Sequence, residues 1–429
     1  MLRLLRRRDF RLLWLGGFIS MMGDWALVAA LPFEVYRRTG STLATAGIIL
    51  ASLAPAVLFG STAGVFVDRW DRRRLMVWVN VALGAALLPL LSVDALGMWI
   101  VYAVLIVSTI LQQLFIPAEV ALLPQLVGDE DLVAANSLSA LNRNLARLVG
   151  PAIGGAAVAF GGLPLVVLTD AASFVTAAIL IALIAPAASS APARALAEHA
   201  AAATRSAFGR LADEWRDGLA VTMSNRMLRA LLVFSLLTGL GEGVVGALFV
   251  PWVSDILGGD NAAFAALLST QAIGGLIGAF IIGKYFRDAS PALMLSIGAI
   301  AFGLIDLVLF TYPVFAPIVL PALIGMVIVG VPSSAIGVGR TTLQQTLTVD
   351  SHRGRVIGLF GTVMALGMIV GTTIAGLLGE LIGIVPLLIV QGSGYALGGL
   401  VILVAARSSA GPATTRTADD PRPADSTAA

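Results

Sequence analysis

The stretch GVFVDRWDRRR, Gly64 to Arg74, places six charges in eleven positions, between two runs that carry almost none. The chain of 429 residues is 58% hydrophobic and only 12% charged. Soluble domains hold roughly 25% charged residues, about twice as many. A mean hydropathy of +0.94 excludes an ordinary globular core, because so much apolar surface cannot all be hidden inside one. The cluster therefore reads as a short polar loop between two membrane crossings, each crossing needing about 20 apolar residues.

Apolar runs of that kind recur twelve times, at roughly 10–36, 43–67, 75–93, 97–121, 136–160, 163–186, 228–253, 262–283, 291–311, 315–339, 355–380 and 384–406. This predicts an all-α membrane protein with 12 transmembrane helices. The N-terminal MLRLLRRRDF imitates a signal peptide, but its apolar run is too long and lacks an obvious small-residue cleavage site, so it reads as retained. The chain has no cysteine, which removes disulfides, thiol nucleophiles and thiolate metal sites. Its two histidines, His199 and His352, both fall in predicted loops.

Orientation follows from the basic residues, since short cytoplasmic loops concentrate Lys and Arg. Arg3, Arg6, Arg7, Arg8 and Arg11 open the chain, and Arg69, Arg72, Arg73 and Arg74 fill the next loop on that side. Arg194, Arg205, Arg210, Arg216 and Arg226, then Lys284 and Arg287, Arg353 and Arg355, and Arg407 continue the pattern. Only Arg37 and Arg38 fall on the other side. Both termini are expected in the cytoplasm of a cell whose inner membrane holds the protein.

The apolar pattern breaks once, after Ala187, and splits the spans six and six. The expected organisation is an N-terminal six-helix bundle (1–186), a cytoplasmic linker with an amphipathic helix (187–226), a C-terminal six-helix bundle (227–407) and a disordered tail (408–429). In the linker Phe208, Leu211, Trp215 and Leu219 recur at helical spacing, as in a helix lying on a membrane surface. The halves repeat. Gly150-Pro151-Ala152-Ile153-Gly154-Gly155 matches Gly371 to Gly376, 221 residues on, and Gly23-Asp24 matches Gly241-Glu242, 218 on. Repeated halves with a site between them are the plan of many secondary transporters. Glycine pairs four apart, at Gly60/Gly64, Gly150/Gly154, Gly274/Gly278 and Gly367/Gly371, let helices approach closely. They read either as plain packing or as an interface along which the two halves rock.

Gly64-x3-Asp68-Arg69-x-Asp71-Arg72-Arg73 resembles the signature between spans two and three of the major facilitator superfamily, with Asp71 in place of the usual second glycine. The run Gly150, Pro151, Gly154, Gly155 is similar to the core of that superfamily's antiporter signature, without its two upstream glycines, which are Ser137 and Ala146 here. With the FRLLWLGGFISMMGDW opening and HRGRVIGLFG before span eleven, the chain resembles the macrolide-efflux and enterobactin-exporter subgroup. The resemblance implies two pseudo-symmetric six-helix bundles and alternating access. It also sets span two beside span eleven. Asp68, braced by Arg69 and Arg72, would there latch the halves against the N-terminus of span eleven, with Gly64 permitting the approach. The arginine expected in span four is absent, and the loop after span eight has lost its helix-end aspartate, so proton coupling does not simply carry over.

An ionisable group at mid-span costs roughly 2.5–3.5 kcal/mol on insertion scales, so each needs a reason. Asp24 and Glu242 hold equivalent places in the two halves, and Arg143 and Arg147 lie one turn apart in span five. Asp170, Asp306, Glu380, Glu119 and Arg340 read as nearer helix ends, where water can reach them. The two acids are expected to carry protons or meet a cationic substrate; alternatively, Asp24 bridges to Arg147 as a structural pair. By resemblance, spans one, four, seven and ten surround a cavity lined by Met21, Met22, Trp25, Gln112, Gln113, Phe115, Phe234 and Trp252. Methionines and aromatics make adaptable apolar walls, although each is equally a packing or lipid-facing residue.

Gly241 to Gly246 spells the dinucleotide-binding glycine fingerprint, but it lies inside a membrane span and not between a strand and a helix. No Walker A motif or cluster of metal ligands is present in the sequence, and no nucleophile–base pair supports an enzyme. The expected function is a secondary active transporter exporting small amphipathic molecules, in drug or secondary-metabolite efflux and with it antibiotic resistance, by proton antiport. A lysolipid or lipid-precursor flippase and a non-transporting membrane scaffold or receptor are the alternatives. The expected partners are a small-molecule substrate, protons and the lipid bilayer, with no cofactor, metal or nucleic acid, and a monomer.

Overall fold

The computed structural model describes residues 2–67, 70–185 and 207–409. Among these, ten helices are long and apolar enough to cross a membrane. One of them, Leu132–Ala182, runs for 51 residues but breaks at Gly162, where φ is 64° and ψ is −163°. Glycine accepts that left-handed φ without steric cost, and Pro164 suits the first turn of the helix that follows. Residues 132–161 and 163–182 are thus spans five and six. Thr42–Val67 is a further apolar helix, and twelve spans result. Spans one to four are Arg8–Thr39, Thr42–Val67, Arg72–Leu96 and Trp99–Val127. Spans seven to twelve are Arg226–Ile256, Asn261–Tyr285, Pro291–Val314, Val319–Thr346, Asp350–Ile382 and Ile384–Ser409. Span one starts, and span twelve ends, on one side, here called the basic face. The amphipathic helix Ala207–Ser224 lies there too, with Asp217 3.0 Å from Arg355 at the start of span eleven.

Polar residues near the basic face tie the first half to itself. Asp71, the variant position of the loop signature, caps span three by accepting from the Arg74 amide at 2.7 Å. Arg72 reaches the Ala121 carbonyl of span four at 3.4 Å, and Arg73 donates to the Ile181 and Ala182 carbonyls closing span six. Cations belong at such helix C-termini. Asp68 and Arg69 lie outside the described residues, as do the surroundings of Gly60 and Gly64.

The three glycine ladders whose surroundings are described prove to be seams inside each half, which corrects the expectation of a rocking interface for them. A Cβ on Gly150 would meet the Met22 carbonyl and Trp25 of span one, and one on its repeat equivalent Gly371 would meet Leu240 of span seven. Gly154 abuts Ala26, Gly367 abuts Leu236 and Leu240, and Gly274 and Gly278 abut Val327 and Val331 of span ten. Close backbone seams thus join span five to span one, span eleven to span seven and span eight to span ten.

Different small residues join the halves. Gly155 of span five faces Ala265 of span eight, and its equivalent Gly376 of span eleven faces Ala46 of span two. These two contacts are copies of one another under the internal repeat. Beside them Thr42 donates its hydroxyl to the Gly376 carbonyl at 3.0 Å and its amide to Glu380 at 3.3 Å. Tyr36 donates to Asp255 at 2.5 Å, joining the far ends of spans one and seven. All of these contacts lie toward the face opposite the basic one. Nearer the basic end of span eleven, added Cβ atoms at Gly354, Gly358 and Gly361 would meet nothing within 4 Å. Among the described residues, the halves are closed on the opposite face.

Candidate functional site

Between the halves, beneath the closed face, lies a cavity of about 520 Å³. Spans one, two and five contribute Val28, Pro32, Ile49 and Arg147, and the second half supplies most of the rest. Glu242 stands in its wall. Its carboxylate accepts from the Tyr395 hydroxyl at 2.6 Å and from the Gln391 amide at 3.3 Å, both on span twelve. Gly241 makes this possible, since a Cβ there would meet the Gln391 backbone at 2.7 Å. Asp306 and Arg340 line the same space, as do Met326, Met364 and Met368 and the rings of Phe249, Phe302 and Phe310. The site thus joins two acids and two arginines to soft apolar walls, the chemistry that receives an amphipathic molecule.

Arg147 is not held by Asp24. Its guanidinium donates across the halves to Gln271 at 2.9 Å and lies 5.6 Å from the Trp25 ring centre, a cation–π distance. Asp24 instead accepts from Gln112 at 3.4 Å. It lines a separate pocket of about 160 Å³ in the first half, with Met21, Asn80, Phe115 and Glu119. Met21, Gln112 and Phe115, expected around the central cavity, belong to this smaller space. Phe234 and Trp252 line neither: both are fully buried in the second half, Phe234 edge-on to Tyr395 and Trp252 stacked on Phe249. These two rings of span seven fill the core of the second half, while Phe249 of the same span reaches the cavity, which corrects that part of the expectation. Met22 packs its carbonyl against Gly150, Trp25 lies under Arg147, and Gln113 is half-buried on span four. Arg143 is exposed on span five, within electrostatic reach of Glu119.

Asp170 and Asp306 do not sit at wet helix ends. They are 0% and 3% exposed, and one oxygen of each has no hydrogen-bond partner among the described residues. Arg340, also expected nearer a helix end, lines the central cavity beside Glu242 and Asp306. Gln391 and Tyr395 were missed, although two polar residues one turn apart within an apolar span are a readable signal.

Two pseudo-symmetric six-helix halves enclosing a charged, apolar-walled cavity define a membrane transporter. The chain belongs to the transmembrane secretion effector family, which it matches over residues 2–424, within the major facilitator superfamily. It is similar to macrolide efflux protein A of Streptococcus pyogenes, 26% identical over 381 residues, covering 87% of this chain and 90% of that protein. It is also similar to the enterobactin exporter of Citrobacter koseri, 26% identical over 415 residues, covering 92% and 91%. Among solved structures, a bacterial homologue of the iron transporter ferroportin in an inward-facing state has a TM-score of 0.67 at 19% identity, covering 93% and 98%. A nucleoside transporter has a TM-score of 0.70 at 11% identity, covering 92% and 99%. The protein is a multi-pass membrane transporter of small molecules and not an enzyme.

Proposed function

We propose that this protein exports small amphipathic molecules, cationic ones among them, across the plasma membrane by alternating access coupled to proton antiport. The observation that carries the reading is the central cavity, where Glu242 is held by Tyr395 and Gln391 among methionines and phenyl rings. An anionic group fixed by two donors in apolar surroundings attracts a cationic head while the walls accept its body. The printed functions of the similar macrolide and enterobactin exporters favour outward transport. The arginine bias supports a cytoplasmic basic face; cargo then enters from that side and leaves when the closed side opens. The organisation into bundles 1–186 and 227–407 joined by a cytoplasmic linker, with a monomer as the working unit, belongs to the same reading.

Reconstituted in liposomes, the protein should move ethidium against its gradient when a pH gradient is imposed, and a protonophore should stop it. Movement indifferent to the gradient would remove proton antiport. No movement of ethidium or any other amphipathic cation would remove the cargo class.

The loop signature has its own part. An anion at a helix N-terminus is stabilised by roughly 0.3–1 kcal/mol, and by about 2 kcal/mol when partly buried. Asp68 would gain this against span eleven when the basic face closes. Asp68→Asn is expected to lower transport by about an order of magnitude, the equivalent of roughly 1.4 kcal/mol, with wild-type amounts in the membrane. Undiminished transport would exclude a latch.

A further inference from the structure

The internal repeat brings different residues to equivalent places beside the two mid-span acids. Gln391 of span twelve stands where span six has Asp170, and Tyr395 stands where it has Phe174, each 221 residues on. The contacts keep the same register, for Gly23 abuts Asp170 as Gly241 abuts Gln391. Glu242 is therefore met by an amide and a phenol, both donating to it. Next to Asp24 the corresponding position holds a second carboxylate, that of Asp170, which seats against Gly23.

Asp170 is 0% exposed. Its Oδ1 accepts from the Ser173 hydroxyl at 3.2 Å, while its Oδ2 has no partner among the described residues. A buried carboxyl with one oxygen short of a donor has room for a proton on that oxygen, and a second acid on the neighbouring span lets the pair share it. Around Asp24, span four offers Gln112 and Glu119, and span three offers Asn80. Span six adds Ser173, and of the arginines of span five, Arg147 is turned to Gln271 and Arg143 to Glu119. No cation in this circle is bonded to Asp24 or Asp170 among the described residues.

We propose that Asp24 and Asp170 form a one-proton site, distinct from the cargo cavity, that loads and unloads the coupling proton. The site rests on the antiport reading above and gives it a location. Asp24 opens on a pocket of about 160 Å³ that Gln112 and Glu119 also line, Glu119 lying nearer the basic end of span four, while Asp170 stands behind it on the side of Gly23. In the state closed on the opposite face, the proton leaves along the basic side while cargo settles on Glu242. After the halves exchange, the emptied pair takes up one proton from the opposite face.

The test compares, in liposomes, pH-gradient-driven ethidium movement with ethidium counterflow, which needs no coupling proton. In wild type the driven rate should exceed counterflow. In Asp170→Asn the ratio should collapse to its value without a gradient, and Asp170→Glu should restore it. Glu242→Gln should instead lower both rates together. A wild-type ratio in Asp170→Asn, or an equal loss of both rates there, would overturn the site while leaving antiport standing. A wild-type protein blind to the gradient would overturn antiport and the site with it. Infrared spectra of purified protein supply a readout without cargo. The protonated-carboxyl band should weaken in Asp170→Asn and in Asp24→Asn, and an unchanged band in both would also overturn the site. Should Asp170→Asn fail to run as a single species on gel filtration, Asp24→Asn carries the same comparison.

Discussion

Glu242→Gln is expected to abolish measurable export of amphipathic cations while leaving the protein folded. Glutamine keeps the length and an acceptor oxygen, so the Tyr395 hydroxyl, 2.6 Å from Oε1, retains a partner and span twelve stays in place. What disappears is the charge. Removing one member of a desolvated charge pair costs roughly 2–5 kcal/mol, and the lower end applies to a cavity open to water on one side. Cargo affinity should therefore fall by about 30-fold or more. Binding of ethidium to purified protein, followed by fluorescence, gives the number directly, and thermal unfolding checks that stability is kept. An affinity within a factor of about two of wild type, well under 1 kcal/mol, would show that cargo does not sit against this acid. Asp306 would then be the next acid to examine, since it lines the same cavity and is 3% exposed.

How much of this was legible beforehand depends on the kind of information each feature uses. Span number and the two halves follow from hydropathy and loop charge, which are local and additive. Glu242 was found because a mid-span acid is costly anywhere, whatever its neighbours. Arg340 and Asp306 were misjudged because depth along a helix says little about which side faces water. The lining changed for a similar reason: Phe234 and Met21 point inward alike, but one meets packed rings and the other a pocket. The glycines of span five are the clearest case. Gly154 and Gly155 are adjacent, yet the first seals span one to span five while the second meets the other half. A rotation of about 100° per residue separates those directions, and a spacing of four residues cannot say which direction is which. The signal that does carry over is the repeat. Laid over itself by 221 residues, it pairs Asp170 with Gln391 and Phe174 with Tyr395, and so points to the polar residues of span twelve from sequence alone.

Gly376→Leu should trap the transporter open at the face that is closed here. An added Cβ alone would stand 2.7 Å from the Ala46 side chain and 3.3 Å from Leu43, and leucine places three more carbons beyond it. Overpacking of that kind costs about 1–3 kcal/mol. The cost falls only on the state in which spans two and eleven meet at this end, because parting the halves there frees the space. The conformational equilibrium should move by roughly 5- to 150-fold, and transport should fall accordingly. Gly371→Leu makes the contrast. Gly371 packs on span seven of its own half, a seam that both states need, so this variant should lose folded protein instead of changing state. The absence of cysteine makes the measurement direct. Ser333→Cys introduces a single thiol in the cavity wall, and a membrane-impermeant maleimide applied from the face opposite the basic one reports its exposure. Faster labelling in the Gly376→Leu background, with normal protein yield, is the expected result. Wild-type labelling together with wild-type transport would mean that the Gly376–Ala46 contact does not close the pathway, and that its twin at Gly155 and Ala265 must be tested in its place.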